Sequence, residues 1–268
     1  RFSDSLAIAN FGHPVEELEK HCVNIDFHHN DLSWAQDDTI ETDYGGHNIR
    51  VYRNQCYNTH TALSVQPSFG GPLYLVRNEA YGITNIAFKL HNYCTGIVAF
   101  HNTTCTARRA GFASFDRWQN GHFRNNLILG PGGALATGSI TPSTTLDYNG
   151  YKRGGSGPAV RWYDGRERKS YSSLRDFAEA TGHERHGVEL DYEAFVKAEE
   201  PQEGVTCRPG QWDLRPRSAS PAVDAGTVLP NINDDFTGDA PDLGAYELGR
   251  PLPHYGPRNN QSKPGSSS

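Results

Sequence analysis

No methionine occurs in the 268 residues, so Arg1 is expected to lie inside a longer precursor and not at an initiator. The first residues do not read as a secretory leader, which is expected to belong to that precursor. No apolar run approaches membrane-spanning length, which leaves no candidate for a transmembrane helix. Positive charge is short: 25 Lys and Arg against 31 Asp and Glu give a net charge of −6. A nucleic-acid partner would favour a basic face, so that class is set aside. The five cysteines, Cys22, Cys56, Cys94, Cys105 and Cys207, are odd in number and lack a Cys-x-x-Cys pair. They indicate neither a disulfide framework nor a zinc site, and buried thiols with at most one bridge are expected. Hydrophobic residues make up only 36%, while 28 Gly and 16 Pro supply many turns. That balance fits short strands rather than long helices.

What the chain does have is a repeat. Four segments share an apolar pair at alternate positions, two further residues, then asparagine: Ile25-Asp26-Phe27-His28-His29-Asn30, Ile49-Arg50-Val51-Tyr52-Arg53-Asn54, Leu73-Tyr74-Leu75-Val76-Arg77-Asn78 and Ile97-Val98-Ala99-Phe100-His101-Asn102. Phe123-Arg124-Asn125 is a weaker fifth copy. The asparagines stand 24, 24, 24 and 23 residues apart, since 54−30, 78−54 and 102−78 are 24 and 125−102 is 23. A fixed period of this size marks a solenoid, whose units bury their apolar faces only by stacking. Alternation two apart in Ile-, Val-, Phe- and Tyr-rich runs reads as strand. The fold class expected is therefore all-β: a right-handed parallel β-helix of about 24 residues per coil, its asparagines stacked inward at a turn. An open end of such a helix exposes unpaired backbone, and earlier coils are expected before Arg1.

Residues 1–157 are expected to form the coils, 158–258 a C-terminal cap of the same domain, and 259–268 a disordered polar tail. A short helical excursion is expected at residues 14–20. The period fails near Gly130-Pro131-Gly132-Gly133, and residues 137–157 read as a loop with one last strand. A helix is expected after Ser173, its N-cap, with Leu174, Phe177 and Ala178 inward and Gly182 as C-cap.

The C-terminal third carries a resemblance. Ser173-Leu174-Arg175-Asp176-Phe177, then Thr181-Gly182-His183-Glu184-Arg185-His186, Asp191 and Gln211-Trp212-Asp213-Leu214-Arg215-Pro216 resemble the end of many secreted bacterial right-handed parallel β-helix proteins. So do Ser220-Pro221-Ala222-Val223-Asp224-Ala225-Gly226 and Pro241-Asp242-Leu243-Gly244-Ala245-Tyr246-Glu247. With the coils, the resemblance covers nearly the whole chain. It implies a pectate-lyase-like superfamily and a secreted, periplasmic or cell-surface location. It does not single out a reaction, because that superfamily includes lyases, hydrolases, epimerases and proteins of no known activity.

The richest chemistry lies in Asp37-Asp38-Thr39-Ile40-Glu41-Thr42-Asp43. With Ile40 and Thr42 inward, Glu41 and Asp43 share an outer face, roughly 6.5–7 Å apart. Like-charge repulsion there raises one carboxyl pKa, as a general acid beside an ionised partner requires. Forty-eight residues on, or two coils along the same columns, stand Lys89 and His91, about 10 Å away over a surface lined by Val65 and Pro67. Two reactions on a polysaccharide fit. Hydrolysis would use Asp38, Glu41 and Asp43 and need no cofactor. β-Elimination would use Ca2+ held by Glu41 and Asp43, with a deprotonated Lys89 as base. Asp37, Arg109 and Arg117 are candidate substrate-binding residues, and a monomer is expected. The third reading, from another class, is a non-catalytic carbohydrate-binding or cell-surface protein whose acidic strand is solvated decoration or a structural calcium site. The column before each asparagine, His29, Arg53, Arg77, His101 and Arg124, reads as a cationic stripe for an acidic glycan. The reading preferred for it is a turn ion-pair ladder neutralised by Asp31 and Glu79. Residues 231–239 resemble a calcium loop only loosely, and Asn102-Thr103-Thr104 and Asn260-Gln261-Ser262 match glycosylation sequons.

Overall fold

The computed structural model describes residues 3–8, 20–114, 117–139, 143–154 and 157–258. Parallel sheets stack as a β-solenoid of about six turns, its coils about 24 residues apart. Sheet I holds Ile25–His28, Ile49–Tyr52, Leu73–Val76, Thr95–Phe100, Gln119–Arg124 and Thr145–Asp147. Sheet II runs from Asp31–Ser33 through Gln55–Tyr57, Glu79–Ile83, Thr103–Thr106, Leu127–Leu129 and Gly150–Lys152 to Val188–Leu190. Sheet III begins with Leu6–Ala7, Asp38–Glu41, Thr61–Val65 and Ile86–Leu90. A separate group on the later coils contains Phe112–Ala113, Leu135–Gly138, Val160–Tyr163 and Arg168–Tyr171, the last pair antiparallel.

Alternation explains the packing. On sheet I, Ile49, Val51, Leu73 and Leu75 are buried while Arg50 is exposed and Tyr52 and Tyr74 are half-buried. Register keeps like above like: Phe27, Val51, Leu75, Ala99, Phe123 and Leu146 pair in succession. Burying such a column stabilises the fold by about 25 cal/mol per Å² of apolar surface removed from water, and no single coil could do this alone.

The asparagines form a ladder. Each side-chain Nδ2 donates to the next Oδ1: Asn30 to Asn54 at 2.8 Å, Asn54 to Asn78 at 3.0 Å, and Asn78 to Asn102 at 2.9 Å. It continues from Asn102 to Asn126 at 2.9 Å and from Asn126 to Asn149 at 2.8 Å. Asn125 is thus not the fifth rung. Asn126 restores the period of 24, and Asn149 extends the coils through the stretch expected to be mostly loop. That stretch instead contains Leu135–Gly138, Thr145–Asp147 and Gly150–Lys152. The last rung ends on a carboxylate: Asn149 Nδ2 donates to Glu184 Oε1 at 2.8 Å, and Tyr151 does so at 2.7 Å.

The residue before each rung is left-handed: φ is 55° at His29, 51° at Arg53, 53° at Arg77, 54° at His101, 57° at Asn125 and 56° at Tyr148. The column therefore contains Asn125 and not Arg124. The helix Leu174–Thr181 is capped as expected: Ser173 accepts from Asp176 N, and Gly182 has φ 80°. Leu174 and Phe177 are its buried residues.

After the helix the chain folds back over sheet II and then along the turn between sheets I and II. Phe195–Lys197 pairs antiparallel with Asp213–Pro216. Trp212 stacks on Tyr81 at 4.9 Å and donates to Glu79 at 2.7 Å. All five cysteines are free thiols. Residues 14–19 of the expected excursion, the tail 259–268 and the Asn260 sequon lie outside the described residues. The Asn102 sequon is buried in the ladder.

Candidate functional site

Sheet III positions the acidic strand. Ile40 points into the core above Leu63 and Phe88, which fixes Asp38 and Glu41 at the strand ends. Glu41 pairs with Ser64, and Ser64 with Lys89, so the column joining Glu41 to Lys89 holds. The two steps are unequal, 64−41 = 23 and 89−64 = 25, and they place Ser64 between the charges. Val65 and Pro67, expected to line that surface, are buried, Val65 in the apolar core.

Asp38, Glu41 and Asp43 are 0%, 4% and 1% exposed. Lys89 donates to Asp38 Oδ2 at 2.7 Å. Ser64 Oγ donates to Asp43 Oδ1 at 2.7 Å. His91 Nδ1 lies 3.1 Å from Gln66 Oε1 on the preceding turn. Asp37 is half-buried at the strand entry. Asp4, not anticipated from the sequence, is exposed, accepts from Asp38 N at 3.2 Å and hydrogen-bonds Glu41. Ser64 and Gln66 were likewise missed. The offset from Leu6 to Ile40 is 40−6 = 34, so no 24-residue count leads to Asp4.

The electrostatics follow from this packing. Burial, the Asp4 hydrogen bond and the charge of Asp43 push Glu41 up to about 8. Burial pushes Asp43 up to about 7, with the Ser64 hydroxyl and Lys89 pulling the other way. Burial and Asp38 raise Asp37. Burial works against the Lys89 charge, but the Asp38 hydrogen bond and the charges of Asp38, Asp43 and Asp37 prevail, and its pKa is raised. Lys89 is a cation at neutral pH.

One oxygen each of Asp4, Asp38 and Glu41 lie within 4.8 Å of one another, and among the described residues Asp38 Oδ1 and Glu41 Oε1 have no hydrogen-bond partner. That donor set suits a hard cation such as Ca2+, which takes oxygen ligands. It differs from the expected pair, since Asp43 spends one oxygen on Ser64. The structure does not bring every sequence candidate to the cluster. Arg109 donates to Asn85 at 2.7 Å on the turn between sheets II and III. Arg117 sits on the turn from Tyr93, to which it donates at 3.3 Å, and also lies over Tyr163.

The column before the asparagines is not the expected ion-pair ladder. Glu79 is occupied by Gln55, Trp212 and Tyr246, so it does not serve Arg77. His101 is fully buried and pushed down to about 3 by burial and by Arg77. It is neutral: Nε2 meets the side-chain amides of Asn125 and Asn233, and Nδ1 lies 3.2 Å from Gly244 O.

No protein-family model matches the chain, and no curated protein does. Among the described residues no helix is long and apolar enough to cross a membrane.

Proposed function

We propose that the chain is a polysaccharide hydrolase acting outside the cytoplasm, with Glu41 as general acid and Asp43 as general base. The observation carrying this reading is the pair of adjacent carboxyls pushed to about 8 and about 7. With both carboxyls held above the ordinary carboxylate range, one can keep its proton near neutrality beside an ionised neighbour, the division of labour that glycoside hydrolysis needs. Asp38 and Lys89 form the charged pair beside them, and exposed Asp4 with half-buried Asp37, Lys89 and His91 forms the rim. Asp43 lies in the turn that follows the strand, two residues beyond Glu41, and the inverting route requires the two carboxyls roughly 6.5–9.5 Å apart to admit a water. The resemblance to secreted bacterial β-helix proteins supports the location and the substrate class.

The raised pKa of Lys89 weighs against elimination, which needs a neutral amine. Burial of the three carboxyls is the one observation favouring the non-catalytic reading, in which they share protons inside a binding or cell-surface protein. The pH profile of kcat/KM separates these readings. Hydrolysis should give a bell with limbs near 7 and 8, indifferent to chelator, with the anomeric configuration of the product inverted. Unsaturated, ultraviolet-absorbing products lost on chelation would replace it with elimination.

A further inference from the structure

The left-handed column leaves two arginines without adequate partners. With His101 neutral, the cations facing the cap from adjacent coils are Arg53 and Arg77. Strand spacing sets their backbones about 4.8 Å apart. Among the described residues neither guanidinium donates a hydrogen bond. The Arg77 side chain is only 11% exposed, yet its one ion pair among the described residues is a 3.9 Å contact with Asp235, itself 70% exposed. Burial and the neighbouring Arg53 both lower the Arg77 pKa. Glu247 also faces this place, but its oxygens already accept from the backbone N–H groups of Thr237 and Asp242. Arg250 approaches from the cap and donates to Asp235 O at 2.6 Å.

These arginines line a cleft of about 330 Å³ between solenoid and cap, within the roughly 300–1,000 Å³ of small-ligand sites. Arg53 and Arg77 also line an adjoining cavity of about 470 Å³ on sheet I, where Tyr52 and Tyr74 present ring surface. Forked guanidiniums recognise planar or tetrahedral oxyanions through paired N–H groups, and flat rings suit a sugar face.

We infer that Arg53 and Arg77 form an anion site for the carboxylate or sulfate of an acidic saccharide. The site lies on the turn between sheets I and II, apart from the sheet III carboxylates, and it stands whether or not those carboxylates are catalytic.

Calorimetric titration of the full chain with trigalacturonate, a sulfated disaccharide and neutral maltotriose tests it. One or both acidic saccharides should bind, more weakly at high salt, and maltotriose should not. Arg53→Ala, at an exposed position, should weaken that binding about tenfold, and Arg77→Lys, which keeps charge but loses the fork, should also weaken it. Arg175→Ala, which removes one exposed helix charge, should change nothing. Affinity unchanged in Arg53→Ala, equal affinity for maltotriose, or no binding of either acid would overturn the assignment.

Discussion

Glu41 and Asp43 retain their protons to higher pH folded than unfolded, so the native state binds more protons across that interval. Stability contributed by these groups is full below their ordinary values of 4.5 and 3.8 and is lost as pH rises through about 8 and about 7. Glu41→Gln and Asp43→Asn mimic the protonated forms. Each should therefore raise Tm at pH 8, by roughly 2–4 °C per kcal/mol recovered, and leave it nearly unchanged at pH 4. Thermal melts across that range check this, and a variant no more stable than wild type at pH 8 would contradict the shifted titrations. Lys89→Met should do the opposite, costing about 3 kcal/mol in a urea melt at pH 7, because it strands the buried Asp38 carboxylate. At this scale the sequence was informative where two coils could be counted. The 23 and 25 residue steps cancel, which is why Glu41 plus 48 reached Lys89 although Val65 was wrongly placed between them. Asp4 was invisible because its coil breaks the count.

The ladder is the element that ties coil to coil. Asn78 donates to Val51 O at 2.9 Å and to Asn102 at 2.9 Å, and its Oδ1 accepts from Asn54. Asn78→Ala would leave buried backbone and side-chain groups unpaired on both sides, at about 1–3 kcal/mol for each group. Asn30→Ala, at the first described rung and half-buried, should cost clearly less in the same denaturant titration. Equal losses would mean that the rungs do not act through their neighbours. Glu184→Ala should unfasten the other end, since Asn149 and Tyr151 would lose their shared acceptor. The spacing of the first four rungs was plain in the sequence. The fifth was misassigned because Asn125 and Asn126 are adjacent and the Phe123-Arg124-Asn125 pattern favoured the wrong one. Backbone geometry decides between them: Asn125 takes the left-handed turn position, and its amide serves Thr227 in the cap.

For the whole molecule, local patterns read correctly and long-range ones did not. Coil period, strand alternation and both helix caps depend on neighbours in sequence or one coil away. The pairing of the cap with Glu79, His101 and Asn125 joins residues more than a hundred positions apart, and no period connects them. That docking turns an expected ion-pair ladder into a neutral histidine and two arginines facing a cleft. Fold and acidic site were thus legible before the surface chemistry of the cap side. The central claim concerns the acidic site. A reducing-end assay of this chain over plant, algal and bacterial polysaccharides at pH 7.5 tests it most directly, comparing wild type with Glu41→Gln and Asp43→Asn. Reducing ends from at least one glycan, falling at least about 100-fold in each variant, are the expected result. Release that survives both substitutions, or no release from any glycan, would contradict a catalytic role for these carboxyls.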